Sequence, residues 1–365
     1  MMVLSSPRRE ILLKQLPRGA ALAKTLRLKR LEKGLGLLES RVAWRHPMNM
    51  IHAITSRCNA SCAFCAWKDE TSQRDELTTT EIKTLYKAAR QAGFVWLTFW
   101  GGEPLMRSDI DEISSYASHL GFTCTLVTNG SLLAKKMDRV VPYLGNISIS
   151  LDFASARHDD ARGIPGLFDR IVRTVPELKR RYPKTKVLLN CTMMRANTTP
   201  GEVHNLAELA KELNTFIIFN LFRTESASKV GDAQRLKDSA PSQDSLAEVF
   251  TMLRRLKTEG YPIANSYSYI DRISTNTLSY RCHWPKINLP MEANGDVVDC
   301  MHWGISPIAN IREKPFTEIL RHPRLIELAG ECGEACHKCV SMHRFDASAI
   351  FEGNIEPLLS WSRIF

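Results

Sequence analysis

From about residue 48 the chain alternates short runs rich in β-branched and aromatic residues with longer runs whose apolar residues recur every three or four positions. The strand-like runs are MNMIHAITS (48–56), FVWLTFW (94–100), FTCTLVT (122–128), NISISLD (146–152), KVLLNCTMM (186–194) and TFIIFNLF (215–222). Between the first two, Thr78 and Glu81 spell a T-x-x-E capping box, and Ile82, Leu85 and Ala89 supply a helical stripe. Ser108 is placed to start the next helix, with the stripe Ile110, Ile113, Ala117 and Leu120 and a stop at Gly121. Further helices are expected over 131–143, 166–181, 201–213 and 242–259. Six strands separated by helices require parallel, right-handed crossovers, giving an α/β fold that is either an open wound sheet or a barrel-like one. Past about residue 262 the chain turns to short segments containing Pro, Asn and Cys, where a second, smaller domain is expected.

Composition narrows the class. The 365 residues are 44% hydrophobic and 24% charged, which suits a folded core and excludes disorder and fibre. The net charge of +10 is local: residues 1–46 hold eleven Lys or Arg and three Glu. A basic face on the body is therefore not indicated, and nucleic acid is an unfavoured partner. Within 20–39, leucines sit among Lys and Arg, and this stretch reads as a basic helix lying on an anionic membrane surface or as one packed across the body; Gly34 and Gly36 weaken the helix. No run approaches the roughly 20 apolar residues of a membrane span. Lys14 and Pro17 break the only N-terminal apolar run, so a cytoplasmic protein is expected, with peripheral membrane contact through residues 1–46 left open.

Ten cysteines in such a chain point to metal binding or catalysis rather than a disulfide framework. Cys124 and Cys191, in apolar runs, read as buried small hydrophobes. Cys58, Cys62 and Cys65 have the spacing C-x3-C-x2-C directly after the first strand. Structural zinc takes four ligands, commonly from paired C-x2-C knuckles, whereas an iron–sulfur cube held by three cysteines leaves one iron open for another molecule. With Phe64 before the last cysteine, the motif resembles that of the radical S-adenosylmethionine (SAM) enzymes. The resemblance implies a partial (βα)6 barrel over about 48–222 and a [4Fe-4S] cluster whose open iron binds SAM. One electron, from a donor such as flavodoxin or ferredoxin, then yields a 5′-deoxyadenosyl radical that takes hydrogen from an organic substrate. It also assigns Gly101, Gly102, Glu103 and Pro104 to the SAM amino group, and Asn129, Ser150, Asp152 and Arg162 to its ribose and carboxylate. Each falls at the expected C-terminal end of a strand, where α/β folds place ligands. The two glycines are expected to let backbone approach the ligand closely, and the Glu103 carboxylate to accept from its ammonium. Asn190 and Thr192 either face the cofactor or are ordinary polar strand positions.

The late cysteines form a second group. Cys282, Gly295 and Cys300 give C-x12-G-x4-C, and PMEANGDVVDC reads as a hairpin with a two-residue Asn294-Gly295 turn followed by Val297 and Val298. Cys336 and Cys339 add C-x2-C, so four thiolates are available for zinc or a complete cluster. This resembles the SPASM and twitch extensions, with Ala309-Asn310-Ile311 where that family has Gly-Asn-Ile. No cysteine follows Cys339, which implies one auxiliary [4Fe-4S] cluster that accepts the electron left on a substrate radical. Cys332 replaces Cys336 or is a spare thiol, and His337 and His343 are ligands or surface residues. The expected domains are thus 1–46, a radical SAM core at 47–260 and the auxiliary-cluster domain at 261–365. The expected function is oxidation or rearrangement of a small or lipid-linked metabolite. The rivals are a peptide-modifying member of the superfamily and a noncatalytic zinc or nucleic-acid-binding protein. His158, Asp159, Tyr267, Tyr269, His302 and Trp303 are candidates to face substrate, with core, capping or surface roles as the alternative; no catalytic acid or base is assigned.

Overall fold

The structure, a computed structural model, describes residues 47–65, 75–222, 237–299, 307–335, 339–362 and 364. The basic segment 1–46, Cys300, His302, Trp303, Cys336, His337 and the Cys332 side chain lie outside the described residues.

Nine strands form one sheet in the order β6-β5-β4-β3-β2-β1-β7-β8-β9. The first six are β1 (Asn49–Thr55), β2 (Trp96–Gly101), β3 (Thr123–Thr128), β4 (Asn146–Ser150), β5 (Lys186–Met193) and β6 (Phe216–Leu221). Neighbours among them pair in parallel and in sequence order. They coincide with the six apolar runs, and the sheet is a partial barrel. The intervening helices are α1 (Thr79–Gln91), α2 (Ile110–His119), α3 (Leu133–Val140), the short α4 (Arg157–Arg162), α5 (Leu167–Arg181) and α6 (Pro200–Glu212), with α7 (Gln243–Thr258) following β6.

Side-chain alternation gives the sheet two unlike faces. Leu97, Phe99, Leu126, Ile147, Ile149, Leu189, Ile217 and Phe219 point outward beneath the helices and are fully buried. The other set, Asn49, Thr98, Thr125, Asn146, Asn190 and Asn220, lines the concave side and is linked by cross-strand hydrogen bonds. Asn146 Nδ2 donates to Thr125 Oγ1 (3.1 Å) and Asn220 Nδ2 to Asn190 Oδ1 (2.6 Å). Trp96, Trp100 and Phe216 share that side by register. Among residues of β1–β6 facing it, only Lys186, at the N-terminal end of β5, is charged.

Local signals behave largely as expected. Both halves of the capping box at the start of α1 are present. The cap of α2 is Asp109 rather than Ser108, and it makes no side-chain cap bond because Arg107 and Thr79 occupy its carboxylate. Beyond α7 the chain adds α8 (Tyr267–Ser274), then β7 (Asn288–Met291), which pairs in parallel with β1 and continues the barrel sheet. β8 (Asp296–Val297) and β9 (Ala309–Asn310) follow antiparallel. The β7–β8 connection runs over four residues, 292–295, in place of a two-residue turn. Glu292 N donates to Asp296 O (2.8 Å), Gly295 N donates to Glu292 O (3.0 Å), and Gly295 takes φ +89°, the left-handed residue that closes such a loop. The short helix α9 (Phe316–Ile319) and then α10 (Pro323–Ala335), α11 (Met342–Phe351) and α12 (Glu356–Ser362) complete the C-terminal region.

Candidate active site

The loop after β1 carries Cys58, Cys62 and Cys65 to the C-terminal end of the sheet, and the chain anchors it from several directions. At its start, Glu76 Oε1 accepts from Thr55 Oγ1 (2.7 Å), Ser56 N (2.8 Å) and Ser56 Oγ (3.0 Å). In its middle, Asn129 Nδ2 donates to Asn59 Oδ1 (3.0 Å), and Asn59 Nδ2 donates to Ser131 Oγ (2.9 Å). Toward its end, Ser61 N donates to Arg162 O (2.9 Å), the Arg162 guanidinium lies 5.0 Å from the Phe64 ring centre, and its Nη1 stands 3.9 Å from Cys62 Sγ. Burial pushes the Cys62 thiol up to about 11, against the pull of Arg162, and raises that of Cys58 as well. Loading iron must therefore displace protons from these thiols. Among the described residues, no three Cys, His, Asp or Glu side chains close around the point a single metal ion would occupy.

The turn after β2 is more internal than its sequence implies. A Cβ on Gly102 would stand 2.1 Å from Arg57 O, and one on Gly101, at φ +116°, 2.5 Å from Thr55 O. The room left by both glycines is taken by the chain's own backbone at the root of the cysteine loop. Gly102 N and Glu103 N confirm the contact by donating to Thr55 O (3.0 Å) and Arg57 O (2.8 Å). The Glu103 side chain is 0% exposed, with three donors on its carboxylate. These are Leu105 N (3.0 Å) and Thr128 Oγ1 (2.7 Å) on Oε1, and Asn129 N (2.7 Å) on Oε2. Burial raises its pKa against these three bonds. The Glu103 carboxylate ties the end of β2 to the end of β3. Pro104, also buried, opens the short 3-10 turn that follows.

Asp152 has the same internal character. It is 0% exposed; Oδ2 accepts from Arg162 Nε (2.7 Å) and Oδ1 from Thr192 N (2.9 Å). Burial opposes the charge on Arg162, but Asp152 and the Cys62 sulfur outweigh it and raise the guanidinium's pKa. Arg162 is thus a fixed cation between the Asp152 carboxylate and the cysteine loop. Ser150, 9% exposed, ends β4 next to Asn190 in register. Asn197, which sequence reasoning missed, ties this region together: its Nδ2 donates to Asp152 O (2.9 Å) and Thr192 O (2.9 Å). Glu76 and Asn59 were missed likewise, because no motif spacing marks them.

The candidates to face substrate have other duties. His158 is fully buried and its Nδ1 accepts from Asp152 N (3.1 Å); burial lowers its pKa to about 4, so the ring is neutral. Asp159 caps the start of α5, accepting from Gly166 N (2.6 Å) and Phe168 N (2.7 Å). Tyr267 packs beneath Lys257 and Arg254, and Tyr269 is buried with its hydroxyl on Val340 O (2.6 Å). Asn190 and Thr192 do lie on the concave face, as partly exposed residues. Cys124 and Cys191 are buried on the opposite, helix-facing side.

The second cysteine group is represented by Cys282 and Cys339, both buried. Cys282 and Trp284 pack together against Tyr280 and against Ile51 of β1. Tyr280 donates its hydroxyl to Cys339 O (3.0 Å), and Arg344 Nη1 donates to Cys339 Sγ (3.3 Å). His343 lies exposed on α11.

A partial barrel with a three-cysteine loop anchored at its mouth, and buried cysteines in the region that extends the same sheet, is the arrangement that the resemblance to radical SAM enzymes implies. The chain belongs to the radical SAM superfamily: the model of that name matches residues 53–210, and that of an iron–sulfur cluster-binding domain, SPASM, matches 282–340. It is 30% identical over 318 residues to the AdoMet-dependent heme synthase of Methanosarcina barkeri, covering 79% of this chain and 88% of that one. The protein of the same description from Nitratidesulfovibrio vulgaris is 32% identical over 317 residues, covering 77% and 82%. Among solved structures, Streptococcus suis SuiB bound to S-adenosylmethionine shares the fold, with a TM-score of 0.63 at 15% identity over 88% of this chain and 76% of that one. The cofactors are accordingly a [4Fe-4S] cluster with SAM and an auxiliary iron–sulfur cluster. The residues present suit both: three cysteines on one braced loop, and buried cysteines beside a buried guanidinium. No helix among the described residues is long and apolar enough to cross a membrane.

Proposed function

We propose that this radical SAM enzyme oxidises a tetrapyrrole seated on the concave face of the sheet. In this reading Cys58, Cys62 and Cys65 hold the first cluster, and Cys282, Cys300, Cys336 and Cys339 hold a single auxiliary one. The observation that carries the proposal is the concave face itself. Trp96 and Trp100 offer flat aromatic surface, while Asn49, Thr98, Thr125, Asn146, Asn190 and Asn220 offer uncharged amide and hydroxyl groups suited to carboxylate arms. The relatives named for heme and Fe-coproporphyrin III synthesis favour a tetrapyrrole over a lipid-linked metabolite.

When bound, the first cluster with SAM supplies the 5′-deoxyadenosyl radical that takes a hydrogen atom from substrate; holding a C–H bond beside that radical is the protein's contribution. The division of labour follows the braces. Asp152 holds Arg162 against the cysteine loop, Glu103 holds the turn whose backbone meets the SAM amino group, and Asn129 joins β3 to Asn59. Cys282 and Trp284 pack on Ile51, a concave-face residue, which supports an auxiliary site beside the substrate surface. The partners are the organic substrate and a one-electron carrier of the flavodoxin or ferredoxin kind.

Anaerobic protein given SAM, a strong reductant and Fe-coproporphyrin III should release 5′-deoxyadenosine in step with a mass change in the tetrapyrrole. Trp100→Ala should lose that coupling and keep both clusters. Formation of 5′-deoxyadenosine that ignores tetrapyrroles but responds to a peptide would transfer the assignment to the peptide-modifying class.

A further inference from the structure

Arg344, on α11, is 4% exposed, so its guanidinium has left water while keeping its proton. Two contacts tie this buried cation to the late cysteine group. Nη1 donates to Cys339 Sγ at 3.3 Å, and the guanidinium carbon lies 5.0 Å from the ring centre of Trp284, two residues past Cys282. Arg344 thus touches one described cysteine of the late group and stacks on the neighbour of the other. Tyr280 completes the enclosure through its bond to Cys339 O (3.0 Å) and its packing on Cys282 and Trp284.

We propose that Arg344 is a potential-setting residue for the auxiliary cluster: a buried cation, hydrogen-bonded to a ligand sulfur, that favours the reduced form and so suits the cluster to accept an electron. The physical basis is that net charge and hydrogen bonds to the sulfurs set the potentials of iron–sulfur clusters. Each added electron makes a thiolate-bound cluster more negative, so a fixed positive charge at 3.3 Å from one sulfur stabilises the reduced state more than the oxidised one. Trp284 holds the guanidinium plane in place, which a flexible ammonium would not reproduce. The inference rests on Cys339 being a ligand, and the controls separate the two.

The experiment is an electron paramagnetic resonance redox titration of the reconstituted full-length enzyme without substrate, with the Cys58–Cys62–Cys65 cluster as internal reference. Arg344→Gln should shift the auxiliary couple toward the oxidised form by about tenfold or more, equivalent to about 59 mV for one electron, while the reference cluster keeps its potential. Arg344→Lys should fall between the two. If Arg344→Gln cannot retain the auxiliary cluster and Arg344→Lys can, the need for a positive charge at this place is again supported. An auxiliary potential in Arg344→Gln equal to that of the unaltered enzyme, or loss of that cluster from both variants alike, overturns the proposal. Retention of the auxiliary signal in Cys339→Ala also overturns it, through the ligand on which it depends rather than through the arginine.

Discussion

Glu103→Gln separates a structural brace from a ligand-binding side chain. In the native chain the carboxylate is wholly buried and accepts from Leu105 N, Thr128 Oγ1 and Asn129 N. A glutamine can keep its carbonyl oxygen toward Leu105 and Thr128, but its amide nitrogen then faces the Asn129 N–H, donor against donor. The substitution loses one hydrogen bond to a carboxylate, worth about 1.5–3 kcal/mol, and leaves a buried N–H unsatisfied at about 1–3 kcal/mol more. Allowing for relaxation, about 3 kcal/mol of stability should go, a change of more than a hundredfold in the unfolding constant. The assay is urea unfolding of the metal-free protein, followed by SAM binding to the reconstituted one. The midpoint should fall with little change in slope, and SAM binding should weaken because the turn's backbone is no longer held. If metal-free stability stays within about 0.5 kcal/mol of native while SAM binding is lost, the carboxylate acts on the ligand directly and the brace is refuted.

Three further outcomes follow from other contacts. Gly102→Ala places a Cβ 2.1 Å from Arg57 O, so the root of the cysteine loop must move; iron content of the first cluster should drop severalfold, measured against the unchanged auxiliary signal. Arg162→Gln removes the cation held by Asp152 and leaves that carboxylate buried beside the cysteine loop. It should cost about 3 kcal/mol or more in unfolding free energy, and a loss below about 0.5 kcal/mol would show that Arg162 is dispensable there. Asp346, 0% exposed, has its carboxyl raised from 3.8 to about 7, by burial first, with Glu356 adding to the rise and the bonds from Ser266 and Trp361 opposing it. The folded chain therefore keeps a proton that the unfolded chain releases at lower pH. Stability should fall as pH rises from about 4 to about 7 and level off above. Asp346→Asn should flatten that part of a melting-temperature profile, and an unchanged slope would exclude Asp346 as its source.

The order and limits of the six parallel strands were legible in the sequence because a strand covered by helices on one face must carry apolar residues in strict alternation, and those residues sit adjacent in the chain. The cysteine loop was legible for a similar reason: three cysteines within eight residues are a local pattern. What the side chains at the barrel mouth do was decided by tertiary structure. Glu103, Asp152 and the glycines beside Glu103 read as ligand-facing from their motif, yet their partners are Thr128, Asn129, Arg162, Thr192 and the backbone of Thr55 and Arg57, mostly tens of residues away. Glu76, Asn59 and Asn197 carry no motif at all and emerge only once the loops they bridge are brought together. Helix α11 shows the same limit. Met342, Arg344, Phe345, Asp346, Ala347, Ser348 and Phe351 are all buried, so no polar face alternates with an apolar one and no stripe announces the helix. Its ionisable members Arg344 and Asp346 are buried against Cys339 and against Ser266 and Trp361, the last two 80 and 15 residues from Asp346 in the chain. Short-range periodicity and spacing in the sequence marked the strands, most of the helices and the cysteine loop, but left the choice between an open wound sheet and a barrel-like one to the tertiary structure. The three-dimensional fold alone determined which polar groups serve each other, because a buried charge is defined by neighbours that the linear order keeps apart.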